Sequence, residues 1–238
     1  AAYKYNHGNG NQVIIGYQAA YELTTGEYNT VMGYQAMYSA TTASYNTIYG
    51  WYAGVNMTTG LQNTVVGYRA GDSLTEGHNN TLVGKDAGEL LVSGDNNLVL
   101  GYNAQASSTT VDNQVTLGGS GITGLRCNVQ TISSLSDGRD KTDVIDLPES
   151  LDFINQLRPV KFKWASRDGK QGKDGLYEHG FIAQDLQAAQ KENDADYLNI
   201  VLDDNPDKLE ASYGKLVPIL VKAVQELSAK VKELESRQ

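Results

Sequence analysis

One cysteine, four prolines and three phenylalanines in 238 residues put several classes of protein out of reach. A lone Cys127 cannot close an intrachain disulfide, so a disulfide-stapled secreted domain is excluded, and the residue reads as a small, semi-buried side chain. No apolar run approaches the ~20 residues of a membrane-spanning helix. The opening Ala1-Ala2-Tyr3-Lys4-Tyr5 lacks the apolar core of a signal peptide, so no membrane insertion is expected. Positive charge is scarce: 19 Lys and Arg against 28 Asp and Glu leave a net charge of -9 with no basic patch, and no nucleic-acid partner is expected. No metal site and no cofactor is expected either.

What the chain has is unevenly spread. The part up to Leu135 holds 19 of the 25 glycines and 12 of the 15 tyrosines but only 12 charged side chains. The composition changes at Ser136-Asp137-Gly138-Arg139-Asp140-Lys141, which predicts two regions joined there. This seam also sets a hydroxyl, on Ser136, five positions ahead of an amine, on Lys141, the two groups that a serine/lysine dyad uses. By itself that spacing is as common as any solvated turn.

Before the seam, Gly16, Gly33, Gly50, Gly67, Gly84, Gly101 and Gly118 recur at every seventeenth position without a slip, and columns of Ala from Ala19 to Ala104 and of Asn from Asn29 to Asn97 keep the same interval. Such a period is too short for a helix pair and suits one coil of a β-solenoid, with two short strands and two turns, stacked at ~4.8 Å. Val, Ile and Leu then fill the inside, the Asn side chains bond along the stack, and the small Ala and Gly columns predict close approach to something outside the coil, a neighbouring chain. Tyr17, Tyr34, Tyr68 and Tyr102 follow the repeated Gly, with Trp51 and Lys85 in the same column. They read either as rings packing between coils or as a sugar-stacking ladder, the first being preferred. The sequence enters the repeat in mid-pattern, which predicts further chain upstream.

These units resemble the head repeats of trimeric autotransporter adhesins, and more closely the Asn-Thr-x-x-Gly-Tyr-x-Ala arrays of phage fibres and bacterial surface proteins. The resemblance covers residues 11 to about 118 and implies three chains wound side by side as left-handed β-rolls. From Gly118 to Leu135 the period decays into a neck, with a short strand around Val129, Thr131 and Ile132.

After the seam, the pattern predicts a helix over 146–157, ended by Pro159, then a strand from Val160 to Trp164 and a solvated hairpin turn over 167–175 containing Lys170 and Lys173. Extended structure over 180–184, a helix over 185–192, a strand over 197–202 and a turn over 203–207 follow. From Tyr213 a long helix carries Val217, Leu220, Val224, Leu227, Val231 and Leu234 at alternating steps of three and four, the a and d positions of a parallel coiled coil over about 214–236. Val at a with Leu at d favours two strands, whereas the upstream array implies three; the trimer is preferred because three heptads weigh little against a trimeric body.

Four ordered motifs in this region look like the C-terminal intramolecular chaperone domain of endosialidases and phage tail fibres, peptidase family S74. They are Ser136-Asp137-x-Arg139-x-Lys141, Leu157-Arg158-Pro159-Val160, Gly180-Phe181-Ile182-Ala183-Gln184-Asp185 and Tyr213-x-Lys215-Leu216-Val217. The resemblance implies a domain that drives trimer assembly and then cuts itself off between Leu135 and Ser136, a self-cleaving serine peptidase with no other activity. Ser136 is then the nucleophile, Lys141 the general base, and Asp137 and Arg139 supporting residues that set the loop. An extended segment would point residues 136 and 141 to opposite faces, so the dyad requires a turn, which Gly138 permits. Where the family has an aliphatic residue, this chain has Asp140, whose carboxylate would hold Lys141 protonated if it lay close by. His179 reads as structural or as an aid to the dyad, the first being preferred.

The fold class expected is therefore mainly β at the N-terminus, a trimeric left-handed β-roll or solenoid of 17-residue repeats, followed by an α+β chaperone domain with a C-terminal coiled-coil helix. The expected divisions are 1–118 for the fibre region, 119–135 for the neck and 136–238 for the chaperone domain. The function expected is that of a phage tail fibre or tailspike segment, a homotrimer folded in the host cytoplasm and carried on the virion, with host surface glycan or protein as partner of the fibre region. A bacterial or prophage-encoded trimeric adhesin is the alternative. A polysaccharide-degrading tailspike is disfavoured, because glycoside hydrolysis needs a pair of acids and the part before the seam has eight carboxylates, scattered at variable loop positions such as Glu27, Asp72, Glu76 and Asp95.

Overall fold

A computed structural model describes residues 10–122, 124–126, 128, 136–148, 150–165 and 177–237. Leu135, Cys127, the expected neck strand and the hairpin turn with Lys170 and Lys173 lie outside the described residues. Contacts divide the chain into two compact units, Ala1–Thr123 and Gly124–Gln238.

The first unit is a β-solenoid. Seven three-residue strands, β1 (Val13–Ile15), β2 (Thr30–Met32), β3 (Thr47–Tyr49), β4 (Thr64–Val66), β5 (Thr81–Val83), β6 (Leu98–Leu100) and β7 (Val115–Leu117), form one parallel sheet in chain order. Each pairs with the strand one repeat further on, as in Val65 opposite Leu82. The middle residues Val31, Ile48, Val65, Leu82 and Val99 point inward and are fully buried with Leu23, Met57, Leu74 and Leu91. Where the coil has the smaller Ala40 in place of these leucines, it carries Met37 where the others have Ala20 or glycine, so the core volume is kept.

The structure has one strand per coil, not two. The return arm carries left-handed residues at fixed places, Gln35, Tyr52, Arg69 and Asp86 in one column and Tyr45, Gln62, Asn79 and Asn96 in another, all with φ between 50° and 61°. Left-handed residues cannot continue an extended strand. The arm still bonds coil to coil, for example Gly71 N to Ala87 O at 2.9 Å, and a single parallel bridge joins Ser44 to Leu61.

The Ala and Gly columns also require correction. Ala19, Ala36, Ala53, Ala70, Ala87 and Ala104 are wholly buried in the coil's own core, facing no neighbouring chain. Gly67 sits at φ 139°, and a Cβ there would lie 2.3 Å from the carbonyl oxygen of Gly84. The close approach is therefore between successive coils of one chain, and smallness at these positions is a stacking requirement.

In the second unit, α1 (Leu151–Gln156), an antiparallel pair of β8 (Val160–Phe162) and β9 (Glu178–Gly180), α2 (Ala183–Glu192), a second pair of β10 (Val201–Leu202) and β11 (Glu210–Ala211), and α3 (Leu216–Ser236) enclose a small core. Phe153, Leu186, Ile200, Leu216 and Ile219 are its largest members. The unit is α+β as expected, with shifted boundaries.

Helix α1 starts five positions later than the pattern indicated. The backbone N–H groups of Ser150 and Leu151 are taken by the Glu226 carboxylate of α3, at 2.9 and 3.0 Å, which fixes the helix start there and leaves Ile145 exposed. The strand expected over 197–202 begins as a 3-10 turn, Asp196–Leu198, and Asn199, left-handed at φ 44°, separates it from β10. Strand β8 stops at Phe162, and Ala183 and Gln184 belong to α2. The terminal helix opens with a 3-10 turn, Tyr213–Lys215.

Candidate functional site

The seam folds into a single 3-10 turn, Gly138–Asp140. Asp137 caps it: its Oδ1 accepts the Arg139 backbone N–H at 2.9 Å, and the Asp140 and Lys141 N–H groups bond back to the carbonyls of Asp137 and Gly138. Gly138 has an ordinary negative φ with open space where a Cβ would stand. The turn thus comes from the Asp137 cap, and the conformational freedom of Gly138 is not needed.

That turn reverses the chain between residues 136 and 141 and brings the Lys141 ammonium to donate to Ser136 Oγ at 2.7 Å. Arg139 folds back on Asp137, with Nε 3.0 Å from Oδ1. Its guanidinium, with the Arg139 backbone N–H, holds the Asp137 carboxyl below the usual carboxylate range. The Arg139 charge is therefore committed to Asp137. Ser136, Asp137, Arg139 and Lys141 are all exposed. A lysine becomes a base when it is desolvated, so any such desolvation has to come from a surface that covers the turn.

The other motifs meet one another. Arg158 donates to Asp185 Oδ2 from Nε at 3.1 Å and Nη2 at 2.6 Å, joining the second motif to the third. The Tyr213 hydroxyl accepts the Phe181 N–H at 3.1 Å and lies where a Gly180 Cβ would meet it at 2.7 Å, joining the third to the fourth. Lys215 Nζ bonds the Asn199 carbonyl at 2.7 Å. These residues form a framework around α2 and the start of α3. His179 lies in β9 opposite Lys161.

Glu226 was not among the residues the sequence singled out. Partial burial pushes its pKa up, but the N–H groups of Leu151 and Ser150, with Lys222 and Lys230, outweigh this and hold it below the usual range. A contact this distant in sequence leaves no local spacing to read.

On the solenoid, five of the Asp and Glu side chains are held in structural contacts. Asp72 and Glu89 are bound by Arg69 and Asp86 by Lys85, while Asp95 and Asp112 accept backbone N–H groups of the preceding coil. No facing pair of free acids emerges from these contacts. The aromatic column stacks on itself, Tyr17 on Tyr34 at 5.2 Å and Tyr34 on Trp51 at 4.5 Å, and Lys85 Nζ lies over the rings of Tyr68 and Tyr102. Ring faces used this way are closed to a sugar, which favours the packing reading. Among the described residues no three His, Cys, Asp or Glu side chains converge as a metal site, and no helix is long and apolar enough to cross a membrane.

No curated protein and no solved structure matches the chain. Residues 136–194 match the family model Peptidase_S74, described as chaperone of endosialidase, which spans the Gly138–Asp140 turn, α1, β8, β9 and α2. The match supports an intramolecular-chaperone role of self-cleaving serine-peptidase type for this segment, attached to a β-solenoid consistent with fibre-like architecture.

Proposed function

We propose that the chain is the distal part of a phage tail fibre or tailspike, in which the segment from Ser136 onward assembles three copies and then severs itself. The observation that carries this is the 2.7 Å contact of Lys141 Nζ with Ser136 Oγ inside the segment that matches the endosialidase chaperone. In the proposed reaction a neutral Lys141 amine takes the Ser136 hydroxyl proton as Oγ attacks the Leu135 carbonyl carbon. The Leu135–Ser136 C–N bond breaks, the Ser136 nitrogen takes the proton back as the leaving amine, and the fibre is held briefly as an ester on Ser136 Oγ. Water then hydrolyses the ester, leaving a Leu135 carboxylate and free Ser136. Asp137 and Arg139 hold the turn that keeps the two groups in reach.

The turn lies in water in the single chain. Covering it on assembly would desolvate Lys141 and tie cleavage to correct trimerisation. The helix α3 supports the trimeric part: Val217, Leu220, Val224, Leu227, Val231 and Leu234 are all exposed along one stripe, while Leu216, Ile219 and Ala223 on the adjacent stripe pack on their own unit. Folding in the host cytoplasm, display on the virion and attachment to a host surface through the fibre region complete the reading.

Denaturing gels of purified wild type, Ser136→Ala and Lys141→Ala test it. Two fragments from the wild type and one intact band from each variant are expected. An intact wild-type chain, or equal cleavage in Ser136→Ala, overturns it.

A further inference from the structure

We infer that the exposed face of the β8–β9 pair seats residues 143–146 of a neighbouring copy, so that the neighbour's Lys161 and Lys163 complete the Ser136–Lys141 site. This rests on the self-cleaving trimer proposed above and adds the residues that a second copy contributes to it.

The two sides of the pair have different surroundings. Val160, Phe162, Glu178 and Gly180 are half-buried, while Lys161 and His179, opposite each other in register, stand exposed, with Lys163 two residues further on. The Tyr177 ring, itself 61% exposed, holds both ammonium groups, with Lys161 Nζ 4.2 Å and Lys163 Nζ 4.7 Å from its centre. A ring leaves the charge of a lysine uncompensated, and neither lysine has a carboxylate partner among the described residues. In a chain of net charge -9, two cations held at one exposed ring suit an acidic segment that also carries apolar side chains.

The same unit carries such a segment. Asp143-Val144-Ile145-Asp146 follows the Gly138–Asp140 turn with every residue exposed, Val144 at 76% and Ile145 at 86%, and neither carboxylate is paired among the described residues. Two acids flanking two aliphatic side chains match two lysines beside an aromatic ring. Within one chain both surfaces stay open to water. A cyclic trimer joins its copies through two unlike surfaces, and these two are unlike and opposite in charge. A soluble polyanion is disfavoured as the occupant, because it would pair the lysines and leave Val144 and Ile145 in water. Asp143 lies two residues from Lys141, so docking lays the neighbour over the turn, excludes water from it and sets positive charge near Lys141. Both effects favour the neutral amine that the proposed proton transfer requires, and the added charge opposes Asp140.

Mixed trimers of full-length chains test this. A tagged chain carrying Lys161→Glu and Lys163→Glu is expressed alone and together with untagged Ser136→Ala, with native mass and denaturing gels read in parallel. Alone, the tagged chain is expected to stay whole. In mixed native trimers, where the Ser136→Ala chain supplies the two lysines, part of the tagged chain is expected to be cut. Cleavage of the tagged chain alone at the wild-type rate overturns the inference, as does a tagged chain that stays whole inside mixed native trimers. If the tagged chain enters no trimer, adding Asp143→Lys and Asp146→Lys to it, which swaps the charges, is expected to restore assembly and cleavage, and failure to restore them overturns the inference too. A wild type that forms the native trimer and stays whole overturns instead the self-cleaving reading beneath it.

Discussion

Asn63 and Asn46 are tied twice over: the Oδ1 of Asn46 accepts both the backbone N–H of Asn63, at 2.9 Å, and its side-chain amide, at 3.2 Å. The same amide reaches the Gly77 carbonyl of the next coil at 2.8 Å, and Asn80 repeats the pattern on Asn63. The ladder is buried, so every bond it makes replaces one that water cannot supply.

Asn63→Ala is expected to destabilise the solenoid by ~3 kcal/mol, because it strands the Gly77 carbonyl and two donors of Asn80 together. The midpoint of denaturant unfolding reads this, with Thr59→Ala as the exposed control within ~0.5 kcal/mol of wild type.

Gly67→Ala tests coil stacking by a different route. A methyl group 2.3 Å from the Gly84 carbonyl oxygen cannot be accommodated without separating two coils. The expected loss is ~3 kcal/mol or more, visible as lower soluble yield and a lower melting temperature. A variant that melts with the wild type would contradict the stacking geometry.

Glu226 links α3 to the start of α1 through its charge. Its pKa is depressed in the folded chain, so its contribution is present above the unfolded carboxylate pKa and is lost as pH falls through the folded value. Glu226→Gln should lower the melting temperature of the second unit at neutral pH, and its difference from wild type should shrink towards zero below the carboxylate range. A difference that persists in acid would assign the effect to packing.

Asp140 stands next to the proposed base in sequence. Asp140→Ala, which removes that carboxylate, should speed release of the fragment at a given pH. The rate of fragment appearance on gels, followed across pH, checks the direction. Asp137→Ala should act oppositely, since it removes the cap and the Arg139 clamp that shape the turn.

The 17-residue period made the solenoid legible, because Gly, Ala and Asn each occupy a position that permits little else. It did not say which side a small residue faces, and the Ala column proved to line the interior. The second strand per coil was a false expectation for a related reason: left-handed residues such as Gln35, Tyr52 and Arg69 carry no common side-chain signature. Within the seam, Ser136 and Lys141 were paired by the family resemblance and not by their spacing, whereas the turn was credited to Gly138 when Asp137 makes it. The apolar spacing put the helix start at 146, while the real start is set by Glu226, a tertiary partner beyond the reach of any local pattern.

Intact-mass analysis of the purified protein, denatured and native, tests the proposed Ser136–Lys141 dyad most directly. The dyad predicts two denatured masses whose smaller species begins at Ser136, a native trimer before cleavage, and a single full-length mass for Ser136→Ala. A wild-type chain that forms the native trimer yet keeps its full-length mass throughout would contradict it.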